Sequence, residues 1–178
     1  VYDHLDGGFY RYSTDAEWRV PHFEKMLYDN AQLISLYAKV YKALKKPLYK
    51  QRVTETIQFL NTSFKTKDGE YISALDADLD GEEGAYYLFS EDELQKVSEE
   101  PELFRNYYNL TPKNQTDEGF YNLYRTQTDS LFAKQNNLDQ TELNKLKSSW
   151  ERDLKIIKEK RKFPLKDDKI IVSWNALM

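Results

Sequence analysis

The chain has 178 residues, of which 40% are hydrophobic, 15% aromatic and 31% charged, enough apolar material for a core and too many aromatics for a disordered chain. Its 26 basic and 30 acidic side chains leave a net charge of −4, so no cationic excess exists to neutralise phosphates and no nucleic-acid partner is expected. Cys is absent, which excludes disulfides, thiolate metal sites and cysteine nucleophiles. No stretch approaches the roughly 20 apolar residues of a membrane-spanning helix, so no membrane partner is expected and a cytoplasmic location is the working expectation. Val1 sits two residues before a dense motif and Met178 within the first turns of an apolar segment, so both ends read as cuts through a longer polypeptide.

From Pro21 to Leu44 the apolar residues recur at spacings of three and four over a wide arc, which predicts a helix buried on several sides, with Pro21 at its start. After a break at Lys45, Lys46 and Pro47, a second segment to about Lys65 carries Val53, Ile57, Leu60 and Phe64 on one stripe, as in a one-faced surface helix. An inner helix joined by a tight turn to an outer one is an αα-hairpin. Glu70 to Phe89 reads as a β-hairpin with a long acidic tip at Asp76 to Gly84. Ser90 with Glu93 forms a capping box opening a short helix, and another short helix is expected over Glu102 to Tyr108. Pro112 to Asp117 reads as a polar loop and Gly119 to Tyr124 as one more strand. Asp139 with Glu142 forms a second capping box, followed by Leu143, Leu146, Trp150, Leu154 and Ile157 on one face of a helix to about Lys160. Pro164 ends it, and Asp167 or Asp168 is expected to cap a final apolar helix through Met178. The alternation of inner helix, outer helix, β excursion, outer helix and inner helix predicts a mainly α fold. It is read as a partial (α/α)6 toroid with a small inserted β-hairpin, residues 1–178 forming a fragment of one toroid domain.

Three stretches could carry chemistry. In the first, Gly7 and Gly8 allow a tight turn or a close backbone approach, and Trp18, His22, Glu24 and Tyr28 follow within one run. Placed at a helix mouth, His22 and Glu24 would feel the positive end of the dipole and could exchange protons with a substrate. The plainer alternative is that both residues hold the Gly-Gly turn. In the second, Asp76, Asp78 and Asp80 followed by Gly81 match the opening of a calcium loop, but Tyr87 stands where the bidentate Glu belongs. The match is half a motif, no metal is assigned, and Asp78 and Glu83 are read instead as carboxylates presented into a cleft, or as a solvated turn. In the third, Trp174 and Asn175 pair an aromatic platform with an amide, a common means of holding a sugar ring. Core packing explains Trp174 equally well, and capping is the simplest role for Asp167-Asp168. There is no Gly-rich phosphate loop, His-Glu-x-x-His helix or Gly-x-Ser-x-Gly elbow, so hydride, phosphoryl and serine-ester chemistry lack support and no cofactor is expected.

Together the three stretches resemble the thioredoxin-domain-containing family typified by spermatogenesis-associated protein 20. Trp18 to Ala31 is similar to its Trp-x-x-Pro-His-Phe-Glu-Lys-Met-Leu-Tyr-Asp run, Asp76 to Tyr87 to its Asp-Ala-Asp…Glu-Glu-Gly hairpin, and Asp167 to Met178 to its Asp-Asp-Lys…Trp-Asn-Gly-Leu-Met helix. Asp6 and Ala176 depart from the pattern, each standing where the family tends to have Gly. The resemblance spans essentially the whole chain. It implies an upstream thioredoxin-like domain absent here and a six-hairpin toroid similar to N-acylglucosamine 2-epimerases and related glycosidases. It also implies a sugar site where inner helices begin. On that basis His22, Glu24 and Asp78 are the expected acid–base groups, and Trp18, Tyr28, Glu83, Asp168, Trp174 and Asn175 the expected substrate contacts. The expected activity is epimerase- or isomerase-like. Alternatives are a non-catalytic glycan- or protein-binding toroid, or a glycosidase needing two carboxylates roughly 5–9.5 Å apart. Expected partners are a small sugar, the rest of the same polypeptide, and a second copy docked through exposed inner helices; the isolated piece is expected to be inactive.

Overall fold

Short two-residue strands alternate with three long helices of 17 to 19 residues and several shorter ones. A computed structural model describes residues 1–178. In chain order the elements are β1 (Tyr12–Ser13), β2 (Pro21–His22), β3 (Lys25–Met26), α1 (Leu27–Leu44), α2 (Pro47–Ser63), β4 (Ala74–Leu75), β5 (Asp78–Leu79) and β6 (Glu82–Glu83). They continue as α3 (Glu91–Leu94), α4 (Pro101–Tyr107), α5 (Asp129–Gln135), α6 (Gln140–Lys158), β7 (Lys166–Asp167) and α7 (Val172–Asn175), with a 3-10 turn at Pro112–Asn114. No helix is long and apolar enough to cross a membrane. The chain divides into two compact units, residues 1–85 with 163–178, and residues 86–162.

In the first unit α1 and α2 form the expected hairpin. Lys45 turns the chain at φ +55°, its N–H returning to the Tyr41 carbonyl, and Pro47 opens α2 where a missing N–H costs nothing. Helix α1 starts at Leu27, not Pro21. Residues 21–26 are extended because their backbone groups have partners elsewhere: β2 pairs antiparallel with β1, and β3 with β4. A sequence window cannot reveal such ladders. β4 also pairs antiparallel with β7, so β3 and β7 run the same way, one leading straight into α1 and the other leading toward α7. The core joins Leu27 to Phe59, Leu60, Phe64, Ile72 and Leu75, with Ile34, Tyr71 and Trp174 packed on its margin.

Several expectations fail here. Helix α1 is not covered on several sides, since Leu36 and Leu44 are each 53% exposed. On α2 the buried face passes through Thr56, Phe59 and Leu60 and leaves Ile57 outside. Glu70 to Phe89 is not one hairpin. Its first arm joins the β3-β4-β7 sheet, only the tip pairs with itself as β5 and β6, and Phe89 bridges to Tyr121. Asp167 lies in β7 and caps nothing; α7 begins at Val172 after the uncapped Ile171.

The second unit is built around α6. Both capping boxes form, Ser90 with Glu93 and Asp139 with Glu142, and the predicted stripe Leu143, Leu146, Trp150, Leu154 and Ile157 is buried throughout. Trp150 is fully enclosed against Phe104 and Tyr107, its indole N–H donating to the Glu99 carbonyl at 2.6 Å. Helix α5 is absent from the sequence reading, although Thr128 caps it by accepting the Leu131 N–H. Its first residue, Asp129, receives Arg125 at 2.6 Å, Lys147 at 2.7 Å and the Tyr107 hydroxyl at 2.8 Å. Burial pushes this carboxyl up, but Lys147, Arg125 and Tyr107 outweigh it and hold it at about 2, below the usual 3.8. A depressed folded-state value contributes stability above pH 3.8 that is lost as pH falls toward 2. Asp129→Asn is therefore expected to cost about 1–2 kcal/mol at neutral pH, allowing for partial solvent screening. Urea titrations should show that gap closing between pH 4 and 2; a gap independent of pH would refute the assignment.

Candidate functional site

His22 is the hub of the polar cluster in the first unit. Its Nδ1 lies 2.6 Å from Oε1 of Glu83, which also accepts the Phe23 N–H at 3.2 Å. On the other side of the ring, Nε2 faces Oε2 of Glu24 at 3.6 Å. Tyr12, directly opposite His22 in the β1–β2 register, lies flat on the imidazole with ring centroids 4.8 Å apart. Directly opposed residues share a sheet face, which is why the rings meet. An ionised carboxylate can only accept, so the short contact to Glu83 places the proton of neutral His22 on Nδ1 and leaves the Nε2 lone pair free.

Glu24 is held from behind. Arg11 Nη1 reaches its Oε2 at 2.7 Å, and the Arg11 main-chain N–H donates to the Glu24 carbonyl at 2.9 Å. Arg11 is also hydrogen-bonded to the Tyr28 side chain, and these two partners raise its already high proton affinity. Tyr28, in the first turn of α1, packs its ring against Trp174 with centroids 4.8 Å apart. Next to it, Oδ2 of Asp29 is buried without a hydrogen-bond partner. Burial and, more weakly, Glu24 push the Asp29 carboxyl up, against the pull of Arg11 and Tyr28, and the net direction is upward.

Five of the nine expected site residues thus belong to one connected cluster: His22, Glu24, Glu83, Tyr28 and Trp174. They meet by sheet pairing and side-chain contact rather than at a helix mouth. His22 and Glu24 precede α1 in extended backbone, so neither the helix-dipole argument nor the shared helix face of Glu24 and Tyr28 applies. Asp78 is exposed on β5, opposite Glu83 in register, and its one hydrogen bond outside that ladder is from its backbone N–H to Asp76. Trp18 stands 64% exposed in the loop between β1 and β2 at φ +59°. Asp168 is exposed beyond β7 and caps no helix. Asn175 is committed to the backbone: its Oδ1 accepts the Tyr71 N–H at 2.8 Å and its Nδ2 donates to the carbonyls of Tyr71 and Ile171. The bonds with Tyr71 tie α7 to the segment before β4, the donation to Ile171 stays within α7's own first turn, and the amide is thus spent on backbone partners. The half calcium motif does not close: Asp76 accepts the Asp78 N–H, and no group of three or more acidic or His side chains is placed to hold a metal ion.

Arg11, Tyr12 and Asp29 escaped the sequence reading. Arg11 carries a local signal, a charge between Tyr10 and Tyr12 after two glycines, as expected where a strand starts alternating between core and solvent. Nothing local announces that its partner lies thirteen residues on.

No family model matches the chain. It aligns over 205 residues with spermatogenesis-associated protein 20 of Homo sapiens at 32% identity, covering 100% of this chain and 26% of that protein. The Mus musculus protein of the same name is 37% identical over 107 residues, covering 57% of this chain and 14% of the relative. The chain is thus homologous to a segment of these proteins and spans about a quarter of the human one's length. Among solved structures, a D-mannose isomerase superposes with TM-score 0.36 at 16% identity, over 85% of this chain and 47% of that chain; at that score no shared architecture follows.

Proposed function

We propose that this chain, homologous to a segment of the spermatogenesis-associated protein 20 proteins, is a sector of an (α/α) toroid that does acid–base chemistry on a carbohydrate, epimerase- or isomerase-like in kind. The observation that carries the reading is the short contact between His22 Nδ1 and Glu83 Oε1, 2.6 Å across a separation of 61 residues. It sets the tautomer of the neutral imidazole, with the proton on Nδ1 and Nε2 turned away from Glu83, and a base of that form is what abstraction of a proton beside a carbonyl needs. The parallel run of β3 and β7 into the start of α1 and toward α7 suits neighbouring inner helices that begin on the same rim. The exposed apolar side chains of α1 and α7, Leu36, Leu44 and Val172 among them, would then be covered by further helices of a longer polypeptide carrying an upstream thioredoxin-like domain, or by a second copy.

Paired-carboxylate hydrolysis is less well served, because Glu24 is neutralised by Arg11 and Glu83 is committed to His22. The test uses the full-length protein, calorimetry against a panel of aldoses and ketoses, and turnover with and without His22→Ala. General-base loss should lower turnover by about 100-fold or more. Sugar binding that survives the substitution, with no turnover in either protein, would instead establish a non-catalytic glycan-binding ring.

A further inference from the structure

We propose that Arg11 is a positioning residue that keeps Nε2 of His22 available as a base by neutralising Glu24. The geometry sets up a competition. Oε2 of Glu24 lies 2.7 Å from the Arg11 guanidinium and 3.6 Å from His22 Nε2. With Nδ1–H committed to Glu83, the imidazole turns a lone pair toward Glu24. An uncompensated carboxylate there would draw a proton onto Nε2 and turn the base into an imidazolium. Arg11 removes that pull by giving Glu24 a charge-assisted partner at shorter range.

The titratable groups around the ring are few and named. Glu24 faces it from the segment after β2, Glu83 from β6, and Tyr12 from β1, while Arg11, Tyr28 and Asp29 lie behind Glu24. Tyr28 also bonds Arg11, so the guanidinium is held by two side chains, and Arg11 has its main chain fixed to the Glu24 carbonyl. Its role is therefore electrostatic and set by geometry, and it requires no contact with substrate. The chemical use of the free nitrogen rests on the acid–base reading above; the coupling between Arg11 and His22 does not.

The chain contains two histidines, His4 and His22, which makes the coupling directly measurable by imidazole nitrogen NMR across pH, without any ligand. In Arg11→Gln the His22 midpoint should rise by about one pH unit, the lower end of the range for a charge at this distance, while His4 stays put as the internal control. Arg11→Lys should restore most of the wild-type titration. Glu24→Gln alone should move the midpoint downward, and adding Arg11→Gln to it should no longer raise it. A His22 midpoint unchanged in Arg11→Gln overturns the proposal, as does the same rise in the absence of Glu24. If Arg11→Gln loses native chemical-shift dispersion, the downward shift in Glu24→Gln decides, and its absence overturns the proposal. Failure of every sugar assay with the NMR coupling intact would remove the carbohydrate reading and leave the Arg11 assignment standing.

Discussion

Asp3→Ala is expected to cost about 3–5 kcal/mol, the usual penalty for stripping one partner from a buried ion pair. Lys25 is wholly enclosed and Asp3 nearly so, with Nζ to Oδ2 at 2.7 Å. The ammonium also donates to the Gly7 carbonyl at 2.9 Å and lies over the rings of Phe59 and Tyr10, at 4.2 and 4.8 Å. Asp3 meanwhile accepts the N–H groups of Leu5 and Asp6 through its other oxygen. Alanine at position 3 removes all three bonds at once and leaves a cation in the core. Replacing both charges, as Asp3→Leu with Lys25→Met, should recover a large part of the loss, because no unpaired charge remains. Urea unfolding monitored by circular dichroism measures both variants; a loss under about 1 kcal/mol for Asp3→Ala would mean the pair is solvated after all.

The second large effect is expected at Gly8. A Cβ there would lie 2.5 Å from Cδ1 and 2.8 Å from Cε1 of Phe59, and 3.2 Å from Oδ1 of Asn30, at φ +77°. Phe59 is a core ring packed against Phe64, so it has little room to retreat. Left-handed strain of about 1–2 kcal/mol adds to overpacking of about 1–3 kcal/mol, and Gly8→Ala should lose about 3 kcal/mol. Gly69 separates the two causes. It sits at φ +103° with nothing within 4 Å of its would-be Cβ, so Gly69→Ala should show the strain alone. Equal losses in the two variants would show that the contact with Phe59 relaxes freely. The Gly8 substitution also bears on the site, since Asn30 grips the main chain of Phe9 at both its N–H and its carbonyl, just before Arg11.

What the sequence made visible is local, although the equally local Thr128 cap of α5 passed unread. The capping boxes at Ser90 and Asp139, the break before Pro47 and the buried stripe of α6 from Leu143 to Ile157 rest on spacings within one or two turns, and all are present. The acidic tip was legible as a turn for the same reason. Residues 21–26 were not, because Pro-His-Phe-Glu-Lys-Met has helical spacing and loses it only to ladder bonds with Tyr12–Ser13 and Ala74–Leu75. The site shows the same division. His22, Glu24 and Glu83 stand out as residue types, whereas Arg11 and Asp29 gain meaning only beside them.

Composition and periodicity by themselves determined a mainly helical chain with nearly balanced charge, two capped helices and a short set of chemically competent side chains. Only the tertiary structure decided which of those side chains share a site: Glu83 with His22, Arg11 with Glu24, and Asn175 with the Tyr71 backbone instead of a ligand. The physical reason is range. Caps and amphipathic faces are written in residues three or four apart, while a strand pair or an ion pair joins groups whose separation along the chain carries no periodic trace.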